Sequence, residues 1–189
     1  MAQFPSAYLR YIKYCDEHGL PRDERVTAFA ARYKLAAAFE AVSFSGYSKG
    51  TADAYGVGMK IALAYSALDQ LESAILEKGR PEIVFDHATA FLTSARFESL
   101  RLFLAGQIDT DFRKAKFAGY LGNPDQNIRP FLEQIRHSVF HGSWNASGTG
   151  LGDAPKKRAE LLALADEILD FANKQFSGWM TVFTETKKS

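Results

Sequence analysis

The chain has 189 residues, of which 47% are apolar and 24% charged, with a formal net charge of +1 at neutral pH. That apolar content excludes a disordered chain, and the near-zero charge excludes nucleic-acid binding by overall charge, leaving only a local patch for it. The single cysteine, Cys15, excludes an internal disulfide and points to a reducing, cytoplasmic setting, while no run of about 18 apolar residues is present to cross a membrane.

The opening residues lack the basic start and long apolar run of a secretory signal. Residues 4–18 are predicted to form a first helix, with Phe4, Tyr8, Ile12 and Cys15 on one face and Gly19 and Pro21 ending it. Cys15 then reads as a buried thiol rather than a nucleophile. Asp23 is placed to cap a second helix whose apolar side is Val26, Phe29, Ala30, Tyr33 and Ala37. Residues 45–50, rich in glycine and serine, break it. The break separates an N-terminal helical hairpin (1–46) from a main bundle (50–184) within a single helical domain.

A third helix is predicted over 54–78, with Ile61, Ala64, Leu68, Leu71 and Ile75 as a packing seam. Gly56 and Gly58 near its start lack the strand and third glycine of a phosphate loop, so close packing is the better reading. Gly79 and Pro81 end this helix, and 83–85 could be a short extended piece. Asp86 is placed to cap a fourth helix over 87–105, with Ala90, Phe97, Leu100 and Leu104 as its stripe and Gly106 as its end. A shorter helix over 109–118 carries Arg113, Lys114 and Lys116, and 119–127 reads as a loop.

Pro130 suits the first turn of the next helix, where a missing N–H costs nothing. Phe131, Leu132, Ile135 and Val139 give it an apolar stripe, and Gly142 is placed to stop it in a left-handed C-cap. Its last turn gathers Arg136, His137 and His141, which include two of the four histidines in the chain. The loop 143–152 is expected to be mobile. Asp153 then caps a last long helix, with Pro155 in its first turn and Leu161, Ala165, Ile168, Ala172 and Phe176 on its buried face. Trp179, Val182 and Phe183 are expected to tuck the tail down. The elements sum to an all-α bundle with antiparallel neighbours.

Arg136, the polar His137 and the pair His141-Gly142 resemble the R-x(4–6)-H motif of the HEPN superfamily, and the order of helices over roughly 50–180 strengthens the likeness. The resemblance implies an all-helical, commonly dimeric fold. It also implies a metal-independent endoribonuclease of the toxin or defence type, with Arg136 and His141 catalytic and His137 in support. Its implied partners are single-stranded regions of RNA, a second copy of the chain, and an antitoxin or regulator protein. Other members keep the fold as a binding or dimerisation module, which is the alternative function here.

The residue types suit that chemistry. Histidine exchanges protons near neutral pH, and arginine stays charged and offers phosphate a fork of donors. Cutting RNA without a metal needs a base for the 2′-hydroxyl and a cation for the charge on phosphorus. On an ideal helix, however, residues five apart lie about 140° round the axis. Arg136 and His141 therefore converge only if the helix loosens at Gly142 or a second chain contributes. The plain structural alternative is a basic helix terminus that favours the dipole. His137 and His141 at i, i+4 have zinc-binding spacing, but no third ligand is evident among His18, His87 and Asp153, so the reading calls for no metal and no cofactor. Lys156-Lys157-Arg158 reads as a solvated basic run or a phosphate-holding one, and Trp144 as a lid over the core or a platform for a base.

Overall fold

The structure is a computed structural model that describes residues 4–76, 98–108, 110–122 and 129–186. Every regular element among them is a helix: α1 (Tyr8–Glu17), α2 (Glu24–Ala38), α3 (Lys49–Ile75), α4 (Glu98–Gly106), α5 (Asp111–Gly122), α6 (Arg129–Phe140), α7 (Ala146–Thr149) and α8 (Pro155–Thr186). The all-α helical bundle expected from periodicity is the fold. The expected extended piece at 83–85 and the start of the fourth helix, with Asp86, Ala90 and Phe97, lie outside the described residues.

The helices form two compact units. One falls within Met1–Phe39, Leu63–Ile83 and Ala165–Ser189, and the other within Glu40–Ala62 and Val84–Leu164. In the first unit, Asp23 caps α2 as expected, its side chain accepting from the N–H groups of Arg25 and Val26. Helix α1 starts at Tyr8 rather than at residue 4, and its buried face is Tyr8, Tyr11, Tyr14 and Cys15. Phe4 stands outside the helix, beneath the ammonium of Lys34 at 4.5 Å. Tyr11 is the centre of this core: its ring meets Phe176, Trp179 and Phe183 at centroid distances of 6.0–6.5 Å. Those contacts hold Trp179 and Phe183 down on the core as expected, from a helix that continues to Thr186, whereas Val182 is exposed.

In the second unit, Ser48 starts α3, its hydroxyl accepting from the N–H of Thr51 at 3.2 Å and its carbonyl from Ala52 at 3.0 Å. The helix therefore begins five residues before the expected position. Helix α5 runs through Gly119 to Gly122, where a loop was expected. Burial of Phe117 and Tyr120 outweighs the roughly 1 kcal/mol that a glycine costs inside a helix. The segment 143–152 is anchored rather than mobile: Trp144, Ala146, Thr149 and Leu151 are buried, and Asn145 caps the short α7. Helix α8 opens with the N–H of Arg158 on the carbonyl of Ala154 at 3.0 Å, so Ala154, not Asp153, takes the capping position. Helix α4 packs with α5, α6 and α7, and α5 packs with α6.

Candidate functional site

Helix α6 buries Phe131, Leu132, Gln134, Ile135 and Ser138. Helix α5 is pinned beside it by a chain of rings, Phe117 to Tyr120 at 5.6 Å and Tyr120 to Phe131 at 5.8 Å. Arg113 and Lys116, three apart on α5, share the side of the helix that carries Phe117, so docking that anchor brings both cations to α6. An open cleft of about 330 Å³ results. Arg113 and Lys116 line it from α5, and Arg136, His137 and His141 line it from α6 and its terminal turn.

The end of α6 decides how the motif is presented. His141 keeps a helical bond, its N–H on the carbonyl of His137 at 2.9 Å. Gly142 then takes the left-handed conformation expected of it, with φ of +74°. The chain turns back at once, because the N–H of Trp144 donates to the carbonyl of Ser138 at 2.9 Å. The indole of Trp144 donates to the carbonyl of Ala54 at 3.4 Å, and its ring lies against Gly58, where an added Cβ would come within 2.5 Å. His141 and Gly142 are left exposed at the corner of this turn.

Arg136 and His141 thus border one cleft within one chain. On an ideal helix the residues of α6 that line it spread over about 160°, with Arg136 at one edge and His141 near the other. The angular separation that argued against convergence is the width of the cleft. His137 lies between them. The Nη1 of Arg113 approaches its ring at 2.7 Å from Nδ1 and 2.9 Å from Nε2. A guanidinium only donates, so the imidazole nitrogen that receives it carries no proton. The rings of His137 and His141 are 4.2 Å apart, tilted by 34°. Glu133 meets Lys116 at 3.5 Å across the cleft, which leaves three cations facing one carboxylate.

Other expected site residues lie elsewhere. Trp144 is 5% exposed, so it is the lid over the core and cannot stack on a base. Arg158 is also committed to structure. Its Nη1 donates to the carbonyls of Leu151 and Gly152 at 2.6 Å each, and its Nη2 stands 3.6 Å from Asp53. It holds the start of α8 against the segment before it rather than a phosphate. Lys156 and Lys157 do not line the cleft. The zinc spacing of His137 and His141 finds no completion: among the described residues no three His, Cys, Asp or Glu side chains are grouped to hold a metal ion. His18 bonds its own helix end, at 2.9 Å from the carbonyl of Tyr14.

Sequence reading missed Arg113, Lys116 and Gln134 as site residues. A signal for the first two was present, since they stand four residues before Phe117 and Tyr120 respectively, the anchors of α5. Lys114, between them, pairs instead with Asp111 at 3.7 Å. No family model matches the chain, and no curated protein or solved structure does.

Proposed function

We propose that the cleft between α5 and α6 cuts RNA without a metal, as a HEPN-type endoribonuclease of the toxin or defence class. One observation carries this reading: Arg113, Lys116, Arg136, His137 and His141 converge on one open cleft. Arg113, Lys116 and Arg136 attract and hold the phosphodiester. His141, exposed at the turn, takes the proton of a 2′-hydroxyl as that oxygen attacks phosphorus. Arg136 stabilises the charge that gathers on the phosphoryl oxygens. The bond from phosphorus to the 5′-oxygen then breaks, and the leaving oxygen takes a proton from the imidazolium or from water. The product carries a 2′,3′-cyclic phosphate. His137, held by Arg113, orients the neighbouring His141 ring. A two-fold partner, as the resemblance implies, adds a second copy of the cleft to the assembly.

A second reading is a helical module that binds RNA phosphates without cutting. It is favoured by the Arg113–His137 contact and by basic groups at a helix C-terminus, both of which serve the fold alone. The test is purified protein, its dimeric mass checked by light scattering, on a mixed single-stranded RNA pool in EDTA. Cleavage with cyclic-phosphate ends is expected. His141→Ala and Arg136→Ala should each lower the rate about 100-fold or more without unfolding the chain. Verified dimer that leaves all RNA intact overturns the enzyme and leaves the binding module.

A further inference from the structure

Two of the largest exposed apolar side chains stand on the rim of the same cleft. Phe112 is 72% exposed and Phe140 is 50% exposed, and both line it. One exposed phenylalanine needs no explanation. Here each precedes a charged or imidazole member of the site in sequence, Arg113 and His141, and the Nζ of Lys116 stands 5.5 Å from the Phe112 ring. A third group completes the pattern. Gln134 lines the cleft from its buried side, 3% exposed, and its Nε2 has no hydrogen-bond partner among the described residues. Buried amides are ordinarily paired, so this enclosed donor beside the cleft is an unmet demand that a ligand acceptor reaching it would satisfy.

We infer that the cleft holds an unpaired nucleotide, its base stacked on Phe140 and Phe112 and its edge read by Gln134, while Arg113, Lys116 and Arg136 take the flanking phosphates. The inference rests on the RNA reading above and narrows it. Aromatic faces stack any base, but only a base that has left its helix offers both a free face and a free edge. The Gln134 donor suits an acceptor such as a pyrimidine carbonyl or a purine N7. The three cations facing one carboxylate favour this occupant over an apolar protein surface, for which they would be an obstacle.

The test compares three probes with the full chain: a short mixed-sequence single-stranded RNA, the same sequence as a blunt duplex, and inorganic polyphosphate. Wild-type protein should prefer the single strand to the duplex. The Phe112→Ala, Phe140→Ala double variant should lose about 10-fold or more of its affinity for the single strand and keep its affinity for polyphosphate. Both side chains are exposed, so the fold should survive, with circular dichroism as the check. Gln134→Leu should weaken the binding of oligo-A, oligo-C and oligo-U alike, since each base offers such an acceptor. Equal loss of RNA and polyphosphate overturns the inference, because the rings would then only shape the cleft. Loss of self-association with RNA affinity unchanged also overturns it, making the rim a contact between copies. Cleavage and RNA binding that persist undiminished in the double variant sink the stacking role alone. Wild-type protein that binds no RNA sinks the RNA reading and this inference with it.

Discussion

His137 and His141 are one turn apart on the same helix, yet their surroundings divide them. Arg113 engages His137, while His141 stands on the exposed corner made by Gly142 and Trp144. The arginine contact singles out His137, and His141 is the exposed imidazole, which is why the proposed mechanism gives it the substrate proton. Tyr11 shows how burial alone changes a group. Its hydroxyl accepts from the N–H of Asp23 at 2.6 Å, inside the aromatic core of the first unit. Burial is the main reason its phenol is pushed up from 10.0 to about 12. The folded chain therefore holds that proton more tightly than the unfolded chain. The resulting stabilisation is complete below pH 10.0 and is lost as pH rises through about 12. Tyr11→Phe should cost about 1 kcal/mol near neutrality, from the lost hydrogen bond. It should also shrink the fall in stability between about pH 8 and about pH 11. Urea unfolding of both proteins at both pH values is the measurement, and an identical fall in the two would contradict the burial argument.

Among the elements, α3 and α6 depend on close approach at one point. Gly58 is buried in α3 with the Trp144 ring against it, and an added Cβ would stand 2.5–2.8 Å from three ring atoms. Two effects oppose each other in Gly58→Ala. Helix propensity favours alanine by about 1 kcal/mol. Overpacking a buried ring costs about 1–3 kcal/mol, and this indole is tied to the carbonyl of Ala54 at 3.4 Å. The clash should win, giving a net loss of up to about 2 kcal/mol in urea unfolding. Because Trp144 also anchors the turn after α6, its fluorescence should shift and the RNA cleavage proposed above should fall. A stabilised variant would mean that the indole moves aside freely. The same packing explains why residues 143–152, which read as a loose loop, instead hold the motif in place. Glycines and small polar residues permit mobility, but one buried tryptophan removes it.

For the whole molecule, a net charge of +1 means that the RNA binding proposed above would draw on the cleft rather than on a general field. On that proposal, three phosphates held by Arg113, Lys116 and Arg136 would give a slope of about −2 in log affinity against log salt for a single strand. Lys116→Ala with Arg136→Ala should flatten that slope to about −0.7. Lys156→Ala with Lys157→Ala should leave it unchanged, since neither lysine lines the cleft. Titration at several salt concentrations checks both, and a slope that follows the lysine pair would move the RNA site to the start of α8. What could be read without coordinates was whatever neighbours along the chain determine. Periodic apolar residues marked the helices, Asp23 marked a cap, and Gly142 a left-handed stop. Arg136, His137 and His141 were visible as a group because they occupy one turn. Only tertiary structure decided which distant surfaces meet. Arg113 reaches His137 across 24 residues because Phe117, Tyr120 and Phe131 bury one another, and no local pattern specifies that docking. It also decided burial, turning Trp144 from a platform into a lid and Arg158 from a phosphate ligand into a brace for two carbonyls. The physical reason is range. Caps and periodicity act within a few residues, whereas the exposure of a side chain depends on everything that packs around it.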